Sequence, residues 1–277
     1  MNPEKIKEAI ESLDKLSKNK PIKIISHYDT DGICSAAIFS RAMQRWRKPF
    51  SLQIVKGLEE EFISSLSEDS ILIFLDLASN SLSQLARKKT DIFILDHHEI
   101  IQDIPKNVTM LNPFLESSEN VCSSALCYLF AKTISKQNSD LANLAVIGMV
   151  GDSHEKNLSK TYDEILKDSE TILKKGLLVY PSTRPLDKAL EYSSSPYIPG
   201  ITGSYSGVLS LLREAEIQKS SSGYKSLYEL TEEEMSRLVT ALMLHSSKPS
   251  EDLIGNLYLV KFFNKIEDAR EISDPIN

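Results

Sequence analysis

Five short runs of branched apolar residues constrain this chain more than any other feature: Ile22-Lys-Ile-Ile25, Leu52-Gln-Ile-Val55, Ile71-Leu-Ile-Phe-Leu75, Ile92-Phe-Ile-Leu95 and Val108-Thr-Met-Leu111. Each is strand length, and several are nearly continuous in Ile, Val and Leu, a sign of burial on both faces. Residues 3–18 place Ile6, Ile10, Leu13 and Leu16 at helical spacing, and further helical patterns fall at 33–46, 58–66 and 80–89. Strands alternating with helices predict an α/β fold, a doubly wound five-stranded parallel sheet. A mostly helical region follows. Buried helices are expected at 121–136 and 140–150, and amphipathic ones near 160–176, 185–191, 205–216 and 231–245. Residues 192–206 read as a structured loop and Ser220–Gly223 as a turn. Gly255–Val260 reads as a new strand. The division expected is a catalytic α/β domain at 1–157, a helical connector at 158–250, and the start of a further domain at 251–277.

In such sheets the residues that matter sit at the C-terminal strand ends. Here the first run leads into His27-Tyr-Asp29-Thr-Asp31-Gly32, the third into Asp76, and the fourth into Asp96-His97-His98. A buried helix closes in Gly148-Met-Val-Gly151-Asp152. Taken singly, each signal is weak. An Asp after a strand is more often the N-cap of the next helix, and that reading stays open for Asp31 and Asp76. A lone histidine usually just satisfies hydrogen bonds, the reading kept for His245. Yet four of the five histidines (His27, His97, His98 and His154) lie in or beside these motifs. Clustered carboxylates raise one another's pKa, and a divalent cation resolves the conflict. Mixed Asp and His ligands suit Mn²⁺, Fe²⁺, Co²⁺ or Zn²⁺ better than Ca²⁺. Seven candidate ligands suit two ions about 3.5–4 Å apart.

Composition removes other classes. The chain is 41% hydrophobic and 26% charged, ordinary for a folded soluble protein. The apolar stretches are too short for a membrane span, and no apolar leader opens the sequence. Three cysteines do not make a disulfide framework, so a cytoplasmic setting is expected. A net charge of −7 argues against wrapping a polyanion with the whole surface.

The four motifs, in this order and spacing, resemble those of the DHH phosphoesterase superfamily. They cover residues 22–155. The resemblance implies that His27, Asp29 and Asp76 hold one ion, and that Asp31, Asp76, His97 and Asp152 hold the other. It also implies that His98 meets the scissile phosphate and that Asp96 orients a ligating imidazole; His154 is assigned a supporting place. The stretches Lys175–Leu186, Tyr197–Gly203 and Gly207–Arg213 look like archaeal RecJ-like proteins. This implies a metal-dependent exonuclease on single-stranded DNA or RNA, in DNA repair or replication, with two ions, Mn²⁺ first and Mg²⁺, Co²⁺ or Zn²⁺ as alternatives. Replication-fork proteins are possible partners. The Gly-rich C-terminal DHHA1 domain usual in the family is not seen among only ten glycines, so loss of that domain or a fragment is expected.

Basic residues cluster at Arg45, Arg47 and Lys48, at Arg87–Lys89, and at Lys174, Lys175 and Arg184. The first two read as solvated helix ends. Arg184, in a Pro-bounded loop, is the candidate for a phosphate contact. Tyr192, Tyr197 and Tyr205 are candidates for base stacking, or for packing their loop. Two other functions remain open: a phosphoesterase of short oligonucleotides or small nucleotides, and a replisome scaffold of the same family.

Overall fold

The structure is a computed structural model that describes residues 2–277, apart from 117–119, 157, 180, 194–195 and 246–252. The side chain of His245 also lies outside the described residues. The boundaries expected at 157/158 and 250/251 fall on residues outside that set. The chain instead divides into Met1–Glu170 with Ser273–Asn277, and Thr171–Ile272.

The first unit opens with α1 (Pro3–Leu16), where Asn2 accepts from the Glu4 amide and Ile6, Ala9 and Leu13 are buried. Then follow β1 (Ile22–His27), α2 (Thr30–Arg45), β2 (Phe50–Val55), α3 (Glu60–Ser65), β3 (Ile71–Leu75), α4 (Leu82–Leu85), β4 (Ile92–Leu95), β5 (Val108–Leu111), α5 (Ser123–Ile134), α6 (Ala142–Gly151) and α7 (Lys160–Asp168). The sheet order is β2-β1-β3-β4-β5, and every pairing is parallel. All residues of β3 and β4 are buried, as continuous apolar runs require in a sheet covered on both faces. Strand β2 departs from that pattern. It is an edge strand whose residues 51–54 are exposed, and its apolar Leu52 and Ile54 face solvent.

The second unit contains β6 (Ile172–Leu177), α8 (Leu186–Glu191), α9 (Tyr205–Glu214), α10 (Glu232–His245), β7 (Ile254–Phe262), β8 (Lys265–Asp268) and most of α11 (Ala269–Ser273). One expectation needs correcting. The helical stretch near 160–176 ends at α7, where Glu170 turns the chain at φ 53°, and 172–177 form a strand. At Gly176 a Cβ would lie 2.7 Å from the Met235 methyl, so the Met235 side chain packs directly over the strand backbone there. Residues 254–262 form the strand expected near 255–260, and β7 pairs antiparallel with β6 and β8. Leu177, Val208, Leu211, Leu227, Leu238 and Leu257 form part of its core. No helix among the described residues is long and apolar enough to cross a membrane.

Candidate metal centre

The strand order reverses between β1 and β3, and ligands of doubly wound sheets bind outside the strand ends at such a reversal. His27 ends β1, and Asp76 follows Leu75 of β3. Asp76 has φ 58°, a left-handed conformation uncommon for a residue with a side chain. Its amide donates to the Leu95 carbonyl (2.9 Å), and its carboxylate is 1% exposed. One oxygen, Oδ1, accepts from Ser123 Oγ at 3.0 Å. The other, Oδ2, is buried with no hydrogen-bond partner.

Around that oxygen, potential ligand atoms converge without bonding to one another. His27 Nδ1 lies 2.7 Å from Asp29 Oδ2 and 3.6 Å from Asp76 Oδ2, yet it makes no hydrogen bond. His97 Nε2 lies 3.5 Å from Asp76 Oδ1, 3.4 Å from Asp152 Oδ2 and 4.0 Å from Asp31 Oδ2. Three groups have ligand atoms within 4.8 Å of one another: His27, Asp29 and Asp76; Asp76, His97 and His98; and His97, Asp152 and His154. Burial, then the charges of Asp31, Asp29 and Asp96, pushes the Asp76 carboxyl up to about 11. Orphaned atoms and crowded acids of this kind fit divalent cations, which supply the missing partner and offset the charge.

Local structure explains why the sequence folds this way. Asp29 is the N-cap of α2, its Oδ1 accepting from the Gly32 amide at 2.9 Å, which leaves Oδ2 toward His27. Gly32 is required by close approach: a Cβ would lie 2.5 Å from the His27 carbonyl oxygen. Asp152 is the C-cap residue of α6. His154 braces it, with Nε2 2.9 Å from Asp152 Oδ2 and Nδ1 3.0 Å from the Tyr162 hydroxyl. Burial would lower the His154 pKa, but Asp152 outweighs it and raises it. All three cysteines are free and buried, and burial keeps their thiols protonated.

Two assignments gain detail in three dimensions. Asp31 lies outside the three close groups. Its oxygens accept from the Ser123 and Ser124 amides at 2.7 and 2.9 Å, so it caps α5 from a distance, and only its remaining lone pairs are left for an ion. Asp96, expected to orient a ligating imidazole, bonds His98: Oδ1 is 2.7 Å from His98 Nδ1, and Oδ2 accepts from the Ser79 amide. Burial alone would raise the Asp96 pKa, yet the His98 and Ser79 bonds hold it at about 2. Arg184 belongs to the second unit. There it pairs with Glu271 at 2.6 Å and lines a cavity of about 570 Å³ with Lys188 and Tyr192. In the earlier basic clusters, Arg45 pairs with Asp140, Lys48 with Asp14 and Arg87 with Glu60, and Lys88 donates to two carbonyls.

Several contributing residues carried no signal of their own in the sequence. Ser123 and Ser124 open a buried helix and read as ordinary first-turn residues. Asn277 is another: its Oδ1 accepts from the Thr30 amide (2.9 Å) and its Nδ2 donates to the Gly151 carbonyl (2.9 Å). One carboxamide thus satisfies an orphan donor of α2 and an orphan acceptor of α6, the helices that carry Asp29 and lead to Asp152. Replacing Asn277 with Ala is expected to lower unfolding stability by about 1–2 kcal/mol, with a matching fall in the urea midpoint at unchanged m-value.

Comparisons with known proteins agree with this architecture. The family model described as the DHH family N-terminal domain matches residues 21–149, and the DHH-CID domain model matches 180–252. The chain belongs to the DHH family, a phosphoesterase family. An uncharacterized protein of Methanocaldococcus jannaschii is 28% identical over 99% of this chain and 65% of its own length. The chain therefore spans less than two thirds of that curated relative. Among solved structures, CDC45 from Entamoeba histolytica superposes with a TM-score of 0.69 at 15% identity, over 99% of this chain and 63% of that one. An exonuclease RecJ bound to manganese gives 0.50 at 18%, over 88% and 65%. RecJ from Thermus thermophilus in complex with Mn²⁺ gives 0.50 at 19%, over 87% and 37%. At these identities the likeness speaks for the fold.

Proposed function

We propose that this protein is a metal-dependent phosphodiesterase, a RecJ-like exonuclease that hydrolyses single-stranded nucleic acid. The observation that carries this reading is the buried, half-partnered Asp76, shared between two of the close ligand groups. His27, Asp29 and Asp76 would hold one ion; His97, Asp152 and Asp76, with Asp31, would hold the second. Two ions bound there, Mn²⁺ by analogy with the RecJ structures, would lower the pKa of a bound water and polarise the phosphoryl oxygen. His98, fixed by Asp96 beside the groove, would donate to the phosphate, and Ser123 would fix the rotamer of Asp76. His154 would brace Asp152.

A groove of about 230 Å³, lined by His27, Leu58, Asp76–Ser81, Asp96 and His98, is sized for a phosphate and its neighbours, not a duplex. Hydrolysis of short oligonucleotides or small nucleotides is the second reading, favoured by that small volume. A replisome scaffold remains the third. The fold match to CDC45 accords with it, but the ligand groups give a scaffold no reason to keep them. The test is hydrolysis of labelled DNA and RNA single strands of several lengths, with Mn²⁺, Mg²⁺, Co²⁺ or Zn²⁺ and with chelator. Metal-dependent shortening from one end is expected. Metal binding without hydrolysis of any strand or nucleotide would reject the enzyme readings.

A further inference from the structure

The acidic centre poses a problem for any polyanion. Asp29, Asp31, Asp76, Asp96 and Asp152 crowd one crevice in a chain of net charge −7, and Arg45, Lys48 and Arg87 are already neutralised by acids. A cation at the mouth of the crevice would let a phosphate approach. Lys56 stands there. It follows β2, the strand beside β1, with Val55 opposite His27 in register, and it lies two residues before Leu58, which forms one wall of the groove. Its side chain is exposed and has no carboxylate partner among the described residues; its ammonium sits 5.7 Å from the centre of the Tyr28 ring. Tyr28, 43% exposed, stands edge-on to the His27 ring at 4.8 Å. A large aromatic residue left in solvent beside a candidate metal ligand gains nothing for packing there. It does offer a face for a base, and base stacking on an exposed ring tolerates any sequence.

We propose that Tyr28 and Lys56 form the anchor for the nucleotide next to the scissile phosphate, Tyr28 stacking its base and Lys56 meeting its phosphate. This rests on the phosphodiesterase reading and adds where the strand lies: it leaves the crevice past His27 toward the end of β2. The anchor acts on a strand and not on a small diester, so the two substrates separate it from the chemistry.

The test compares Lys56→Gln, Lys56→Arg, Tyr28→Ala and Tyr28→Phe, using a single-stranded 12-mer and bis(p-nitrophenyl) phosphate with Mn²⁺. Lys56→Gln is expected to raise KM for the 12-mer about tenfold and to reduce the log–log salt slope by about 0.7, the value for one phosphate contact on a single strand. Lys56→Arg should restore both. Tyr28→Ala should raise KM about 10–100-fold, and Tyr28→Phe should not. Turnover of the small diester and the Mn²⁺ titration should be unchanged throughout. Unchanged KM and salt slope overturn the anchor, and so does an equal loss on both substrates or a loss of Mn²⁺ binding. If the unsubstituted protein hydrolyses neither substrate, the phosphodiesterase reading fails by itself. Equilibrium binding of the 12-mer to the Mn²⁺-loaded protein then decides the anchor: weaker binding by Lys56→Gln and Tyr28→Ala supports it, and unaltered binding overturns it.

Discussion

Replacing Asp76 with Asn is expected to abolish hydrolysis and, in protein stripped of metal, to raise the melting temperature. Both effects come from one carboxylate. Asp76 is buried between two ligand groups, with Oδ2 unpartnered, so beyond the Ser123 hydrogen bond its charge needs a bound cation. Asparagine keeps the shape and the Oδ1 contact to Ser123 but removes the charge that both groups share. In metal-free protein the same charge is a liability. The folded-state pKa, about 11 against an ordinary 3.8, means that the native state binds a proton that the unfolded chain releases. Stability therefore falls as pH rises from about 4 toward 11. At pH 7 the cost is about 3 pK units, on the order of 4 kcal/mol as an upper bound, and asparagine removes it. Calorimetry with chelator should show the wild type less stable at pH 8 than at pH 5, with the variant flatter and more stable at pH 8. Mn²⁺ should then stabilise the wild type well above the variant. A variant that keeps more than a small fraction of activity at saturating Mn²⁺, or is less stable than wild type without metal at pH 8, would count against this account.

The same carboxylate shows what could be read from the sequence. All five strands of the parallel sheet were legible as short apolar runs; Ile71–Leu75 and Ile92–Leu95 are continuous as doubly covered strands are, whereas β2 kept its apolar run at an exposed edge. The strand ends pointed to His27, Asp29, Asp76 and His97, since side chains just past a strand in this topology face one crevice, and the end of α6 adds Asp152. What failed has physical reasons too. Ile172–Leu177 carries two lysines and a glycine and continues an amphipathic pattern, so periodicity alone did not separate it from α7. Its pairing with β7, about 80 residues away, is non-local and leaves no mark on either segment. The caps on Asp31 come from amides of Ser123 and Ser124, and backbone donors have no sequence signature. Asp96 bonds the His98 ring, and adjacent side chains leaving a strand end point in different directions, which the sequence does not resolve. Asn277 meets Thr30 only after 246 intervening residues.

His98 should be the residue whose loss lowers turnover without disturbing the metals. Its surroundings differ from those of His97. The His98 side chain is 48% exposed against 12% for His97, and it lines the groove. Its Nδ1 is 2.7 Å from Asp96 Oδ1, its amide donates weakly to the same oxygen (3.3 Å), and Asn112 Nδ2 donates to its carbonyl at 2.9 Å. An imidazole held this way has Nε2 left for a substrate. The hydrogen bond that His98 donates to Asp96 raises the imidazole's pKa, which favours the protonated, donating form. A fixed donor at the phosphoryl oxygens stabilises charge that grows only in the transition state, so its removal should appear in kcat more than in KM. One such donor contributes about 3–4 kcal/mol, so His98→Ala should lower kcat by roughly 10²–10³-fold. The Mn²⁺ titration should still give two ions with unchanged midpoints. The competing role is ligation, since His98 also stands in a close group with Asp76 and His97. A ligand's loss would show as a weakened Mn²⁺ isotherm, with activity partly restored by excess metal. Asp96→Asn tests the link between them: it should reproduce part of the fall in kcat by freeing the His98 ring, again with both ions bound. Loss of Mn²⁺ from His98→Ala, or normal turnover with both ions in place, would remove His98 from the role assigned to it.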